Sequence, residues 1–210
     1  MYEVVKGQIL DQQLMPGDKV TIDRIARALN CSSVSVREAL TRLHVEGLLQ
    51  FVPYRGYVVT ELLDEKSFRN LYDVRVLLEL YAIEKAAVRV NEHDLDELSK
   101  ILNVTVEADP TYEHYQPFVA VDQAFHRRIL ELSGNSYLTD LWDSLHIHLH
   151  LARFYRKNGY VDSTEGQKEH DIILDALSKH DPVEARRAMK AHLTGSYERL
   201  WSGVSPDTNA

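Results

Sequence analysis

An intramolecular disulfide is excluded, because the chain contains one cysteine, Cys31, and this usage fits a reducing compartment. No apolar run approaches the ~20 residues of a membrane-spanning helix, and we expect no signal peptide. We therefore expect a cytoplasmic protein that does not enter the membrane. The length of 210 residues suits one large domain or two small ones.

An excess of positive charge is also missing. The chain has 24 Lys and Arg residues against 32 Asp and Glu residues, which gives a net charge of −8. The charge is unevenly distributed, because residues 1–60 hold seven basic and six acidic side chains and so carry +1, while the remainder carries −9. We therefore expect the N-terminal part to make any contact with nucleic acid. The affinity of each subunit should be modest and should fall as the salt concentration rises.

The clearest pattern runs from Thr21 to Val59. Two apolar series at helical spacing flank a polar turn and predict two short helices: Ile22, Ile25, Ala26 and Leu29, then Val36, Ala39, Leu40 and Leu43. Ser32 or Ser33 can cap the second helix, and Gly47 can end it. Two β-prone runs, residues 50–52 and 57–59, follow around a loop of hairpin length. With a first helix at Tyr2–Leu14, this order predicts a winged helix-turn-helix.

The polar face of the second helix of this pair suits the major groove of DNA. It carries Ser33, Ser35, Arg37, Thr41 and Arg42. Arg37 can donate two hydrogen bonds to guanine, and the hydroxyl groups can meet phosphates or bases. The Arg55-Gly56 pair at the wing tip can reach the backbone or the minor groove. Each residue alone also fits the solvated surface of a small helical bundle, but their ordered combination favours DNA binding.

These motifs resemble the N-terminal domain of GntR-family transcription regulators. The matching residues are Pro16-Gly17, Ile25-Ala26, Val36 to Leu40, Leu43, Glu46 to Leu48 and Arg55 to Val59. The resemblance implies operator contacts from Arg37, from hydroxyl residues near the helix start such as Ser32 and Ser33, and from Arg55-Gly56. The family usually has Ser-Arg where this chain has Ser32-Ser33, so the operator sequence does not transfer from relatives.

The rest of the chain predicts an all-α bundle, since no strand pattern follows Asp64. The predicted helices are Asp64 to about Val90, Asn91–Val106, Tyr112–Leu132, Ser136–Tyr155, one through His170 and Leu177, and one from the Asp181-Pro182 restart to about Trp201. The predicted fold class is mainly α, with a winged helix-turn-helix at residues 1–62, a helical domain at 63–203 and a disordered tail at 204–210.

One carboxylate and three imidazoles in the predicted bundle suggest a metal site. Asp122 and His126 share a helix face four residues apart, next to apolar positions where polar groups need partners. His170 and His192 lie on either side of the Asp181-Pro182 turn, and antiparallel packing can bring them together. Such a set suits zinc, nickel or manganese with open positions. His146 and His150, which also share a helix face, are a rival pair of ligands.

The same region resembles the FCD domain of the FadR subgroup of GntR-family regulators. The resemblance rests on Asp122-x-x-Phe125-His126, Ser133 to Asn135, Glu169-His170 with Ala176-Leu177, and Ala185 through Met189 to His192-Leu193. It implies a metal held by Asp122, His126, His170 and His192, zinc being the best guess, with a small organic acid bound beside it. Arg75 matches an arginine common on the first helix of such domains and is a candidate partner of the acid, as is Arg153. A salt bridge from Arg75 to Asp73 or Glu79 is the alternative.

The sequence therefore predicts a homodimeric transcription regulator, and not an enzyme, that binds an imperfect palindrome in double-stranded DNA. Its operator affinity would change when a small carboxylate binds at the metal. A metal-dependent hydrolase is one alternative, because an ion with open positions can activate water. A regulator with a purely structural metal is another.

Overall fold

The computed structural model of the chain describes residues 1–10, 13–104, 112–155 and 159–202. It forms two compact units, residues 1–63 with 147–155, and residues 64–146 with the described residues from 159 onward. The elements of the first part are α1 (Tyr2–Leu10), β1 (Lys19–Val20), α2 (Ile22–Ala28), α3 (Ser33–Val45), β2 (Leu49–Val52) and β3 (Gly56–Val59). The later helices are α4 (Glu65–Arg89), α5 (Glu92–Leu102), α6 (Tyr112–Leu132), α7 (Ser136–Tyr155), α8 (Gly159–Ser178) and α9 (Pro182–Ser202).

Helix α3 lies at the centre of the winged unit. It packs on α1, α2 and β2, and its apolar stripe is buried: Val36, Ala39, Leu40 and Leu43. The described strands form one antiparallel sheet in the order β1-β3-β2, in which Val58 pairs with Lys19 on one side and with Gln50 on the other. The predicted two-stranded wing thus gains the short strand β1. The described part of helix α1 runs to Leu10, residues 11 and 12 lie outside the described ranges, and Leu14, the predicted end, is not helical.

In the second unit, α4 packs against α6 and α9, and α8 packs against α5 and α9. Helix α4 is buried on more than one face, and its small residues Ala82, Ala86 and Ala87 allow neighbouring helices to approach. Helix α5 ends at Leu102, with Asn103 as its C-cap, and not at the predicted Val106; residues 105–111 lie outside the described ranges. In the described part of the chain, no helix is both long and apolar enough to cross a membrane.

Side-chain caps define several helix starts. The Ser32 hydroxyl accepts from the Ser35 amide, and the Asp64 carboxylate accepts from the Ser67 amide. Asn91 and Asp94 form a reciprocal capping box. Asp181, where the sequence predicts the restart of the chain into its last helix, caps α9, and its Oδ1 accepts from the amides of Val183 and Glu184. Each cap satisfies amides that have no partner inside their helix.

Replacement of the Ser32 hydroxyl tests its role as the cap of α3. We expect Ser32→Ala to lower the free energy of unfolding by about 1 kcal/mol, because the Ser35 amide loses its acceptor. Urea denaturation followed by circular dichroism measures the effect. Ser33→Ala is the matched control, because this neighbouring hydroxyl is exposed and caps nothing. Equal stability of the two variants would refute the capping role of Ser32.

Candidate metal centre and nucleic-acid interface

Four buried side chains from three helices converge in the interior of the bundle. Asp122 and His126 lie on α6, His170 on α8 and His192 on α9, and each is at most 1% exposed. One ligand atom from each residue lies within 4.8 Å of those of the other three. The Asp122 carboxylate is 3.7 Å from Nε2 of His126 and 3.6 Å from Nε2 of His170. The structure thus brings together the whole set singled out in the sequence.

Two further carboxylates orient two of these imidazoles. Nδ1 of His126 forms a hydrogen bond with Oε2 of Glu79 at 2.5 Å, and Nδ1 of His192 forms one with Oε2 of Glu169 at 2.8 Å. Neither glutamate was predicted from the sequence. Glu79 lies 47 residues before His126, and its place on α4 suggests only a salt bridge to Arg75. Glu169 precedes His170 directly, and that adjacency was the one available signal.

Both glutamates are ionised at neutral pH. Burial alone would raise the pKa of Glu79, but the Arg75 guanidinium and His126 outweigh it and hold the pKa at about 2. Burial likewise opposes ionisation of Glu169, while hydrogen bonds from His192 and Arg199 lower its pKa. An ionised carboxylate only accepts hydrogen bonds, so the Nδ1 atoms of His126 and His192 carry protons. In a neutral ring this leaves Nε2 with a lone pair.

The Nε2 atoms of the two rings face each other. Nε2 of His126 lies 3.1 Å from Nε2 of His192, with the Asp122 carboxylate close by. Burial lowers the pKa of His192 and so favours its neutral form. When both rings are neutral and protonated at Nδ1, two acceptors at this distance require a cation or a proton between them. Atoms that coordinate one ion at about 2.1 Å lie roughly 3.0–3.5 Å apart. The 3.1 Å pair lies in this range and the 3.6 and 3.7 Å pairs lie just above it, so the donor set suits a first-row divalent metal.

Arg75 is part of the same network. It is 2% exposed, and its Nε donates to Oε1 of Glu79 at 2.7 Å. The Trp142 indole donates to the same oxygen at 2.8 Å. The salt bridge, one of the two alternatives for Arg75, is therefore formed. Arg75 reaches the proposed ligands through Glu79, which it shares with His126.

The other residues singled out in the sequence of the bundle lie elsewhere. The side chains of Arg153, His146 and His150 are outside the described part of the structure. A second group of metal-type side chains, His93, Asp94 and Glu97, lies at the start of α5. Asp94 serves the capping box there, and Arg128 bonds both Asp94 and Glu97. We interpret that group as a surface ion-pair network that holds α5 against α6.

The predicted DNA-contacting residues lie along α3 and at the wing. Ser33, Arg37 and Arg55 are exposed, and no described residue pairs with either guanidinium. Ser35 is half-buried, and Ser32 accepts the capping bond. Ser33, Arg37, Arg55 and Gly56 border one concave surface between α3 and the wing. This surface presents two cations with free donor groups.

Two of the predicted contact residues already have partners within the protein. The Thr41 hydroxyl lies 3.1 Å from the Tyr57 hydroxyl, a bond that ties the wing to α3. The Arg42 guanidinium stacks 3.8 Å over the Tyr2 ring, and its Nε donates to Glu46. Arg42 thereby helps to join α1 to α3. The DNA role of Thr41 and Arg42 remains a prediction that competes with these structural contacts.

The wing tip carries an exposed aromatic residue that no sequence pattern singled out. The Arg55 amide donates to the Val52 carbonyl, and Pro53 and Tyr54 form the turn between them. Tyr54 has φ +63° and is 106% exposed. Glycine or asparagine usually occupies such a turn position, so a bulky aromatic residue there is strained. Gly56, at φ +83°, returns the chain into β3.

Comparison with known proteins assigns the winged unit and the helical bundle to two different family models. Residues 1–59 match the model described as bacterial regulatory proteins, gntR family, and residues 70–195 match the FCD domain. The HTH-type transcriptional regulator YdhC of Bacillus subtilis is 25% identical over 95% of this chain and 88% of its own length. The gluconate operon transcriptional repressor of the same organism is 28% identical over 86% of this chain and 74% of its length. The structure of E. coli McbR/YncC has the same fold, with a TM-score of 0.75, 22% identity and coverage of 96% and 95% of the two chains.

The outer carboxylates give a direct test of the metal centre. We expect Glu169→Gln to weaken zinc affinity by about tenfold or more, because a neutral amide no longer fixes and polarises the His192 ring. Competition with a chromophoric chelator at constant pH measures the affinity. Glu165→Gln is the matched control, since Glu165 lies one turn earlier on α8 and pairs with exposed Lys168. Equal zinc affinity in both variants would contradict the role of Glu169.

A second variant perturbs the same network without touching a charged residue. The guanidinium of Arg199 donates to both oxygens of Glu169, and a Cβ at Gly195 would lie 2.7 Å from Arg199 Nη1 and 2.9 Å from Glu169 Oε1. Alanine in a helix is usually more stable than glycine by about 1 kcal/mol. We expect Gly195→Ala to lack this gain and to weaken zinc binding. A stabilised variant with unchanged zinc affinity would show that Arg199 and Glu169 move aside without loss, and that zinc binding does not depend on the exact geometry of their ion pair.

Proposed function

Because the chain belongs to the gntR family of bacterial regulatory proteins and carries an FCD domain, it is a DNA-binding transcription regulator, and we propose how it acts. It binds its operator through α3 and the wing, and a small carboxylate that binds at a metal in the helical bundle changes its operator affinity. The observation that carries the proposal is the convergence of Asp122, His126, His170 and His192 in a chain that also presents Arg37 and Arg55. The proposed domains are residues 1–62 and 63–203, followed by a tail.

We propose that the regulator acts in the cytoplasm as a homodimer on an imperfect palindrome. Each subunit places the first turns of α3 in a major groove, with Arg37 on a guanine and the Ser32, Ser33 and Ser35 hydroxyls near bases or phosphates. Arg55 and Gly56 then lie along the neighbouring backbone. The winged part has few cations, so a single subunit gains little from phosphate contacts. Two subunits on two half-sites supply the missing affinity.

We propose zinc as the resident ion, with nickel or manganese as alternatives. Asp122, His126, His170 and His192 would hold it, and Glu79 and Glu169 would fix the rings of His126 and His192. When bound, the ion supplies a positive centre that can bind a carboxylate oxygen. Three imidazoles and a single carboxylate favour zinc over harder ions, which prefer oxygen ligands.

The effector is proposed to be a small carboxylic acid, with Arg75 as the protein cation that its carboxylate meets. Arg75 is held close to the ligand set because it shares Glu79 with His126. Arg153 is a second candidate on α7. One relative of this chain is the repressor of a gluconate operon, and gluconate carries a carboxylate group. That name supports the chemical class of the effector, and gluconate itself is one acid to test.

One observation favours a second role for the metal. All four ligand side chains are buried, and Arg75 already forms a salt bridge. An ion that only joins α6, α8 and α9 would need no entry path for a ligand. The metal would then stabilise the fold, and another part of the chain would sense the signal. Hydrolysis is not proposed, because the chain belongs to a family of regulators.

Binding to DNA from upstream of the protein's own gene tests the interface. We expect specific binding that weakens at higher salt, and we expect Arg37→Ala to weaken it by about 10- to 100-fold because a base contact is lost. Fluorescence anisotropy with labelled duplexes gives the affinities. Arg187→Ala is the control, since this exposed arginine pairs with Glu184 in the helical bundle. Equal effects of the two substitutions on DNA affinity would show that Arg37 of α3 does not contact the operator.

The same assay tests the effector. With zinc-loaded protein, we expect one acid in a panel of mono-, di- and tricarboxylates to change operator affinity by about 5- to 150-fold, and a chelator to abolish that response. Thermal melting in parallel shows whether the metal-free protein remains folded. If no acid changes the affinity while metal removal lowers the melting temperature, the ion is structural and the effector proposal fails.

A further inference from the structure

The face of α3 that points away from the core carries an apolar residue in its first turn. The core side of the helix is the stripe of Val36, Ala39, Leu40 and Leu43. With 3.6 residues per turn, the positions most directly opposite are 34, 38, 41 and 45. Val34 occupies the first of them and is 67% exposed. It therefore projects outward next to Arg37, on the side of that residue away from Ser33.

The position of Val34 along the helix gives it access to bases. In helix-turn-helix proteins, residues in the N-terminal turns of the recognition helix contact base edges, and the first helix lies across the backbone. Val34 is the second residue of α3, one turn before Arg37. If Arg37 reaches a guanine edge, the side chain of Val34 faces the floor of the same groove at a neighbouring base pair.

The chemistry of valine restricts what it can recognise there. A valine side chain has no hydrogen-bonding group, so it cannot distinguish the polar edges of the bases. The thymine C5 methyl is the apolar feature of base edges in the major groove, and apolar side chains contact it. Burial of the two methyl surfaces against each other is favourable, whereas a polar edge in this position would lose its water.

We propose that Val34 contacts the C5 methyl group of a thymine in each operator half-site, next to the base pair read by Arg37, and that it selects thymine at that position. This inference rests on the proposed DNA-binding function of α3. It assigns a specificity-determining role to a residue whose type suggests an ordinary surface position. Ser33 beside it is short, so it leaves room for the helix to approach the bases closely enough for the contact.

Replacement of thymine by uracil in the duplex is the sharpest test, because it removes the methyl group alone. Operator sequences are first selected from randomised duplexes with the full-length protein, and each thymine is then changed to deoxyuridine. We expect one symmetry-related pair of thymines at which wild-type affinity falls by about fourfold for each methyl group, and by about fifteen-fold for the pair, as measured by fluorescence anisotropy. In Val34→Ala, the affinity ratio between thymine and uracil at that position should fall below about twofold.

Val45→Ala is the matched control. Val45 lies on the same outward face at the other end of α3 and is 81% exposed, so its removal should leave the thymine preference intact. Thermal melting checks that both variants fold. An unchanged thymine-to-uracil ratio in Val34→Ala, with specific binding retained, overturns the inference and leaves the proposed function standing. A protein that selects no sequence at all overturns both.

Discussion

The metal centre depends on the way in which two buried imidazole rings turn the same nitrogen atom towards each other. Nε2 of His126 and Nε2 of His192 face each other at 3.1 Å because each ring is held from behind by an ionised carboxylate. When both rings are neutral, neither nitrogen can satisfy the other without a positive charge between them. The helices that carry these rings, α6 and α9, therefore pack around a place where the interior of the bundle needs a cation.

A buried polar cluster of this kind is tolerated only when its members are satisfied, since an unpaired buried carboxylate is costly. Glu79 meets this condition with donors from three helices: the Arg75 guanidinium on α4, the His126 ring on α6 and the Trp142 indole on α7. The charge of Glu79 thereby ties these helices together at one point of the core. Apolar packing surrounds the cluster and includes Phe125, whose ring centroid lies 4.7 Å from that of His170. The same helices thus form the apolar core and fix the orientation of the proposed ligands.

Local sequence patterns predicted the parts of the molecule that depend on periodicity. The apolar stripe of α3, the wing strands and the bundle helices follow from spacing, and so does the placement of Asp122 and His126 on one face of α6. His170 and His192 lie on other helices, so packing arguments left them open against His146 and His150, and a family resemblance favoured them; the structure places His170 and His192 beside Asp122 and His126. The contacts of Glu79 with His126 and Trp142 escaped prediction because they join distant parts of the chain. Strand β1 escaped because two residues are too few to show an alternating pattern.

The charge distribution constrains how the winged unit can bind DNA. Of its few cations, Arg42 is engaged with Tyr2 and Glu46, whereas Arg37 and Arg55 have no partner among the described residues. The rest of the chain carries an excess of negative charge, which repels DNA phosphates. Affinity from phosphate contacts is therefore limited, and sequence discrimination has to come from close contacts between side chains of α3 and base edges. A serine at position 33, where related regulators usually have a long arginine, permits such an approach. An exposed valine at position 34 can then contact a base and contribute to sequence recognition.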